Sequence, residues 1–222
     1  MWTLPNILTL ARIGLAPVIA LLPFIEGSTP KIIAFVVFLV AAFSDVIDGW
    51  YARRYRIVTD LGKMLDPVAD KLMLVATLVP IFWITRHPTL ADYRIPWWGS
   101  LPVWVAVLLV GREILMTLFR WHAQRRGVII AAAGPGKLKT VFQNIFIGAT
   151  IAWFAWKDLI VEMRWVGRYR DFWDRFHGAL VAVTLAVAVV LTAYSLGVYL
   201  YRYRNLLSTD PGPPPSRWNT NS

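Results

Sequence analysis

Residues 45–70 read DVIDGWYARRYRIVTDLGKMLDPVAD, and four of the five aspartates in this stretch interrupt otherwise apolar helices. Asp45 and Asp48 lie three residues apart, and Asp66 and Asp70 lie four apart, so each pair falls on one face of a helix. Because the connection between the two helices is short, they are expected to be antiparallel neighbours. The sequence therefore predicts that all four carboxylates converge at one end of this helix pair.

Clustered carboxylates repel one another and require a compensating positive charge. Hard divalent cations such as Mg²⁺ or Mn²⁺ take oxygen ligands, and three or four carboxylates can hold one ion or a pair. Zinc is disfavoured because the chain has no cysteine and its three histidines lie far from the cluster in the sequence. Gly49 and Gly62 allow a ligand to approach the backbone, and Arg53 suits a phosphate. This combination predicts a metal-assisted phosphate or pyrophosphate site.

Two other interpretations of the aspartates remain open. A divalent cation transporter also places acids in membrane helices, although its site is expected near the bilayer midplane rather than near one face. In the second interpretation, the acids serve only as helix-end partners in salt bridges with the nearby cations Arg53, Arg54, Lys63 and Lys71.

The composition predicts an integral membrane protein. Of 222 residues, 57% are apolar and 16% are charged, whereas soluble domains are less apolar and carry about 25% charged residues. The net charge of +10 favours anionic lipid head groups or phosphorylated substrates over nucleic acid. We predict an all-α bundle of six membrane-spanning helices, near residues 5–24, 31–52, 64–85, 102–121, 138–156 and 177–201.

The loops predict how the bundle is oriented and where it ends. More lysine and arginine fall in the inner loops when the N-terminus is placed in the cytoplasm. Residues 157–175 are predicted to form an amphipathic helix in the outer interface. One catalytic membrane domain is expected over residues 1–207, followed by a disordered, proline-rich tail at 208–222.

Residues 45–70 resemble the signature D-x2-D-G-x2-A-R-x8-G-x3-D-x3-D of the CDP-alcohol phosphatidyltransferases, and every signature position is matched. This resemblance implies a six-helix membrane enzyme, usually a homodimer, whose active site opens to the cytoplasm. Such enzymes transfer the phosphatidyl group from CDP-diacylglycerol to an alcohol and release CMP.

The same resemblance implies a role for each signature residue. Divalent metal, with two ions expected, would be held by Asp45, Asp48 and Asp66. Asp70 would act as the general base and border the second ion. The residues implied to contact the nucleotide are Gly49, Ala52, Arg53 and Gly62.

Three further segments, PNILTLAR (5–12), GREILMTLFR (111–120) and GKLKTVFQ (136–143), resemble the bacterial phosphatidylglycerophosphate synthases within this family. They imply glycerol 3-phosphate as the acceptor and the bacterial inner membrane as the location. Inositol phosphate, serine, another alcohol, or the phosphatidylglycerol used by cardiolipin synthases remain alternative acceptors.

Cations beyond the signature are expected to bind the acceptor's phosphate. These residues are Arg112, Arg120, Lys137 and Lys139. For Arg112, a structural pair with Glu113 or with a carboxylate of another helix is the alternative. Asn6, Thr9 and Arg12 are expected either to border the nucleotide or to form hydrogen bonds between helices.

Overall fold

The first three helices form one side of the bundle. The protein is described by a computed structural model over residues 3–55, 59–125 and 134–202. Helix α1 spans Leu4–Leu21 and begins after an extended Thr3, with a proline in its first turn, where a missing N–H is tolerated. Helix α2 spans Ser28–Tyr55, and helix α3 spans Asp60–Arg86.

The remaining three helices complete the bundle. Helix α4 spans Val103–Arg125, helix α5 spans Gly134–Glu162 and helix α6 spans Arg168–Arg202. Over the described ranges the chain thus contains six α-helices, which confirms the predicted all-α fold class. The tail predicted at residues 208–222 lies outside these ranges.

The helices pack through a continuous apolar core. Helix α1 lies against α2 and α3, helix α5 lies between α2 and α6, and α4 packs against α6. Every helix contributes fully or almost fully buried side chains to one cluster. Examples from α1 to α6 are Ile19, Phe38, Ile81, Leu109, Phe154 and Leu185.

The outer surface of the bundle is also apolar. Large aliphatic side chains such as Val40, Val79 and Val190 are exposed, as expected for helices surrounded by lipid. Among the described residues, five helices are long and apolar enough to cross a membrane. Helix α4 is not among these five, and it carries the charged residues Arg112 and Glu113 near its middle. Its role as a sixth span remains a prediction.

A compact ion-pair network ties the helices together at the end where α2 begins. Lys31 donates to Asp158 at 2.5 Å, and Asp158 also accepts a hydrogen bond from the Tyr93 hydroxyl. The backbone N–H of Ser28 donates to Glu162 at 2.6 Å. Lys31 and Asp158 form a one-to-one ion pair, and Glu162 is held beside them by hydrogen bonds from Ser28.

The prediction of an amphipathic helix over residues 157–175 is wrong. Helix α5 continues to Glu162, the chain then reverses, and α6 begins at Arg168. The reversal uses positive φ angles at Arg164 (48°) and Gly167 (120°), which a continuous right-handed helix does not contain. The two halves of the predicted segment therefore extend the last two helices.

Candidate active site

One face of α1 carries the polar residues that organise the site. Asn6, Thr9 and Arg12 are buried and are spaced three residues apart, so they share a helix face that continues into the core at Ala16 and Ile19. This face lies against α2 and α3, which carry the aspartates. Helix α1 thereby brings a buried guanidinium to the start of α3 and the end of α2.

Arg12 contacts all four aspartates of the signature. Its Nη1 bonds Asp45 and lies 3.3 Å from Oδ1 of Asp70. Its Nη2 donates to Oδ2 of Asp48 at 2.9 Å and lies 3.9 Å from Oδ1 of Asp66. The four carboxylates predicted to converge do meet, and they meet around an arginine from a third helix.

The four carboxylates differ in how far they are open to solvent. The side chain of Asp48 is only 8% exposed, whereas those of Asp45, Asp66 and Asp70 are 48%, 55% and 62% exposed. Asp48 is therefore enclosed with the guanidinium, and the other three are accessible to a ligand.

The charge around Arg12 is unbalanced, since four carboxylates surround one guanidinium. Within the described ranges, no group of three or more acidic, histidine or cysteine side chains is arranged to hold a metal ion directly. The donor chemistry nevertheless fits a hard cation, because accessible carboxylate oxygens are the ligands that Mg²⁺ and Mn²⁺ prefer. A divalent ion bound by these carboxylates would either lie beside the Arg12 guanidinium or displace it.

Two further contacts connect α1 to α3. Thr9 donates from its hydroxyl to Oδ1 of Asp66 at 2.8 Å, and Thr59 donates to Oδ1 of Asn6 at 2.9 Å. A Cβ on Gly62 would lie 2.9 Å from that same Asn6 oxygen. Gly62 therefore permits the close approach of α1, and the polar residues of α1 form the hydrogen bonds between helices that were one of the two expectations.

A cavity of about 270 Å³ opens beside the aspartates. Its walls come from α1 to α5, so it joins residues that are far apart in the sequence. Three of the aspartates line it together with polar residues of α4 and α5. Its charged lining includes Asp45, Asp66, Asp70, Glu113, Arg120 and Lys139.

A second charge cluster stands in the wall of this cavity. Oε1 of Glu113 accepts from Lys139 at 2.5 Å and from Arg112 at 2.8 Å. Arg112 also donates to the Ser195 hydroxyl at 3.1 Å, which links α4 to α6. Two cations thus surround one carboxylate, the reverse of the arrangement around Arg12.

The residues predicted to bind the phosphate of the acceptor substrate differ in their position relative to the cavity. Arg120 is exposed and lines the cavity, and Lys139 lines it from a buried position. Arg112 is buried in its pair with Glu113 and is not among the lining residues, which is the structural alternative considered for it. The side chain of Lys137 lies outside the described part of the chain.

The structure describes only some of the residues that the resemblance implies contact the nucleotide. Gly49 lies in α2 directly after Asp48, and Gly62 lies in the first turn of α3. The side chains of Ala52 and Arg53 are outside the described residues. The site itself therefore offers no test of the nucleotide contacts.

Arg12 and Glu113 make more contacts in the site than was predicted from the sequence. Arg12 was expected either to border the nucleotide or to bond another helix, and its four carboxylate partners were not predicted. Glu113 was identified only as a partner for Arg112, and its pairing with Lys139 depends on how α4 packs near α5. Gln143, which also lines the cavity, was noticed only as part of a motif.

An all-helical membrane bundle with a charged cavity near one end is typical of a membrane-embedded enzyme. The family model described as CDP-alcohol phosphatidyltransferase matches residues 2–194, and the chain belongs to this family.

Curated relatives carry more specific names. A probable phosphatidylglycerophosphate synthase of Mycobacterium tuberculosis strain H37Rv is 38% identical over 148 residues, which cover 65% of this chain and 64% of that protein. The CDP-diacylglycerol–glycerol-3-phosphate 3-phosphatidyltransferase of Bacillus subtilis is 34% identical over 68% of this chain and 77% of its own length. The enzyme of the same name from Escherichia coli K12 is 31% identical over 90% and 93%, respectively.

Proposed function

We propose that this protein transfers the phosphatidyl group of CDP-diacylglycerol to glycerol 3-phosphate, giving phosphatidylglycerophosphate and CMP. The names of its relatives support both substrates. The observation that carries the proposal is the shared cavity, in which the accessible aspartates and the cations of α4 and α5 line one space. An anionic donor and an anionic acceptor can thus bind side by side in this cavity.

The donor is assigned to the aspartate end of the cavity. Asp45, Asp48, Asp66 and Asp70 would hold one or two divalent ions, with Mg²⁺ or Mn²⁺ as the expected metal. When bound, such an ion supplies charge neutralisation at the pyrophosphate and at the departing CMP. The nucleotide is assigned to Gly49, Ala52, Arg53 and Gly62.

Asp70 is assigned the role of general base. In the proposed reaction, the primary hydroxyl of the acceptor attacks the phosphorus attached to diacylglycerol, and the bond from that phosphorus to the CMP oxygen breaks. The carboxylate of Asp70 takes the hydroxyl proton during the attack. Its side chain is 62% exposed and lines the cavity, so an acceptor can reach it.

The acceptor's phosphate is assigned to the basic side of the cavity. Arg120 is exposed there and offers a guanidinium for a bidentate contact. Lys139 contributes positive charge from within the wall, and Lys137 precedes it by two residues. Arg112 supports this side by holding Glu113 in place. Binding the phosphate would deliver the hydroxyl to Asp70 as an intramolecular nucleophile.

We place the protein in the bacterial inner membrane with this cavity facing the cytoplasm. The excess of lysine and arginine on that side supports the orientation. A homodimer is part of the same proposal. Light scattering of the protein in detergent measures the subunit number, and a protease protection assay measures the orientation.

An acceptor panel tests the proposed reaction. Purified protein in detergent is given CDP-diacylglycerol and Mg²⁺ with glycerol 3-phosphate, inositol phosphate, serine or phosphatidylglycerol, and CMP release is measured. We expect release with glycerol 3-phosphate at the highest kcat/KM. A higher value with another acceptor would reassign the substrate. No release with any acceptor, together with cation uptake into proteoliposomes, would support a transporter instead.

A further inference from the structure

Several polar residues of the cavity wall are not used by the proposed reaction, and two of them offer hydrogen-bond acceptors. Asp70 takes the hydroxyl proton and the cations take the phosphate. Glu113 on α4 and Gln143 on α5 are among the polar residues that remain, and both line the cavity. Gln143 follows Lys139 by four residues, so the two side chains lie on the same face of α5.

The side chain of Gln143 is only 5% exposed, and its Oε1 is buried without a hydrogen-bond partner in the described part of the chain. Buried polar atoms are nearly always hydrogen-bonded, so each exception requires an explanation. Because Gln143 also lines the cavity, a donor on a bound ligand is a candidate partner for this oxygen once the side chain turns toward it.

Glu113 adds a second acceptor whose orientation is fixed. Both of its cation partners, Lys139 and Arg112, bind Oε1. Among the described residues, Oε2 makes no hydrogen bond that would compete with a ligand. Glu113 and Gln143 can thus each accept a hydrogen bond from a ligand group that donates.

The chemistry of the acceptor identifies that group. A phosphate and an ionised carboxylate accept hydrogen bonds, whereas a hydroxyl can donate one. Glycerol 3-phosphate has two hydroxyls, and only the primary one is consumed by the reaction. The hydroxyl on its central carbon therefore remains to be recognised.

We propose that Gln143, which lines the same cavity as Glu113, accepts a hydrogen bond from the second hydroxyl of the acceptor and so selects a phosphorylated diol. This inference rests on the proposed function, since it assigns a specificity contact within the same reaction. Lys139 and Arg112 contribute indirectly by holding the Glu113 carboxylate.

The test compares two acceptors that differ only in this hydroxyl. 3-Hydroxypropyl phosphate has the phosphate and primary hydroxyl of glycerol 3-phosphate but lacks the central hydroxyl. We expect the wild-type protein to prefer glycerol 3-phosphate in kcat/KM by roughly 10- to 100-fold, as when a buried acceptor loses its only donor. In Gln143→Leu, this preference should fall to about 3-fold or less.

The fall should come from slower use of glycerol 3-phosphate, with the kcat/KM for 3-hydroxypropyl phosphate nearly unchanged. Thr150→Val is the matched control. It removes another buried polar group of α5, whose hydroxyl bonds only its own helix at Phe146, 2.7 Å away. This variant should keep the wild-type preference.

The preference ratio does not depend on the amount of folded enzyme, so partial misfolding leaves the test valid. If Gln143→Leu gives no folded protein, Gln143→Met, which also lacks the amide, is measured instead. An unchanged preference in the variant, or no preference in the wild type, would overturn the hydroxyl contact alone. No CMP release by the wild type with either acceptor would overturn the proposed function as well.

Discussion

The two charge clusters that border the cavity are built in opposite ways. Around Arg12, four carboxylates share one cation. Around Glu113, two cations share one carboxylate. The first cluster retains negative charge, and the second retains positive charge. A phosphoryl transfer between two anions requires both, because a cation must compensate the donor and basic groups must hold the acceptor.

The opposite end of the bundle provides the contrast. Lys31 faces Asp158 there, so this pair retains no net charge. Lys31 and Asp48 are seventeen residues apart on α2, or about 26 Å at 1.5 Å per residue. Clusters with shared partners thus border the proposed active site, whereas a one-to-one ion pair joins helices at the opposite end. Variants in the three clusters should therefore have different effects.

The largest effect is expected from Asp70→Asn. An amide cannot take the proton of the attacking hydroxyl, so kcat should fall by roughly 10²- to 10⁴-fold. CMP release under saturating substrates measures this change. Asp158→Asn makes the same carboxylate-to-amide change at the opposite end and should retain kcat within about 2-fold. Equal losses in the two variants would mean that the aspartate cluster has no special catalytic role.

A smaller, substrate-specific effect is expected from Arg120→Ala. The loss of a charge-assisted hydrogen bond should raise the KM for glycerol 3-phosphate roughly 10- to 100-fold. The KM for CDP-diacylglycerol should stay within about 2-fold of the wild-type value. Arg86→Ala removes an exposed arginine at the far end of α3 and serves as the control. A matching rise in both KM values of Arg120→Ala would place this residue outside an acceptor site.

Arg12→Met tests the charge balance without an activity measurement. In a chelator, its four carboxylate partners would repel one another without compensation, and the melting temperature should fall by about 5 °C. Added Mg²⁺ should raise the melting temperature of the variant by more than it raises that of the wild type. Thermal unfolding in detergent with EDTA or Mg²⁺ measures both shifts. The account of this cluster fails if Mg²⁺ shifts the two proteins equally.

The smallest effect on catalysis is expected from Lys31→Met. Breaking a buried ion pair leaves Asp158 without its cation, which costs about 3 kcal/mol and lowers the melting temperature. Both KM values and kcat of the protein that remains folded should stay within about 2-fold of wild type. A selective change in the KM for one substrate would show that this end also contributes to the site.

The sequence predicted local arrangements better than contacts between distant helices. The spacing of Asp45, Asp48, Asp66 and Asp70 and their short connection were enough to predict that the carboxylates converge. Their contact with Arg12 depends on where α1 packs, and helical spacing alone does not determine that. The pairing of Glu113 with Lys139 likewise depends on how α4 packs near α5, which helical spacing alone does not determine.

The prediction for residues 157–175 failed for a different reason. The segment contains aromatic and charged residues at amphipathic spacing, which is typical of an interfacial helix. Two positive φ angles at Arg164 and Gly167 reverse the chain instead. A glycine signals such a turn, but the left-handed arginine three residues before it carries no comparable sequence signal.

The binding of Mn²⁺, followed by electron paramagnetic resonance, tests most directly whether the aspartate cluster holds a divalent cation. Purified wild-type protein should bind Mn²⁺, and the double variant Asp45→Asn/Asp66→Asn should lose this binding, while Lys31→Met keeps it. If the double variant binds Mn²⁺ as tightly as the wild type, the cation is held elsewhere and the proposed assignment of the four aspartates is contradicted.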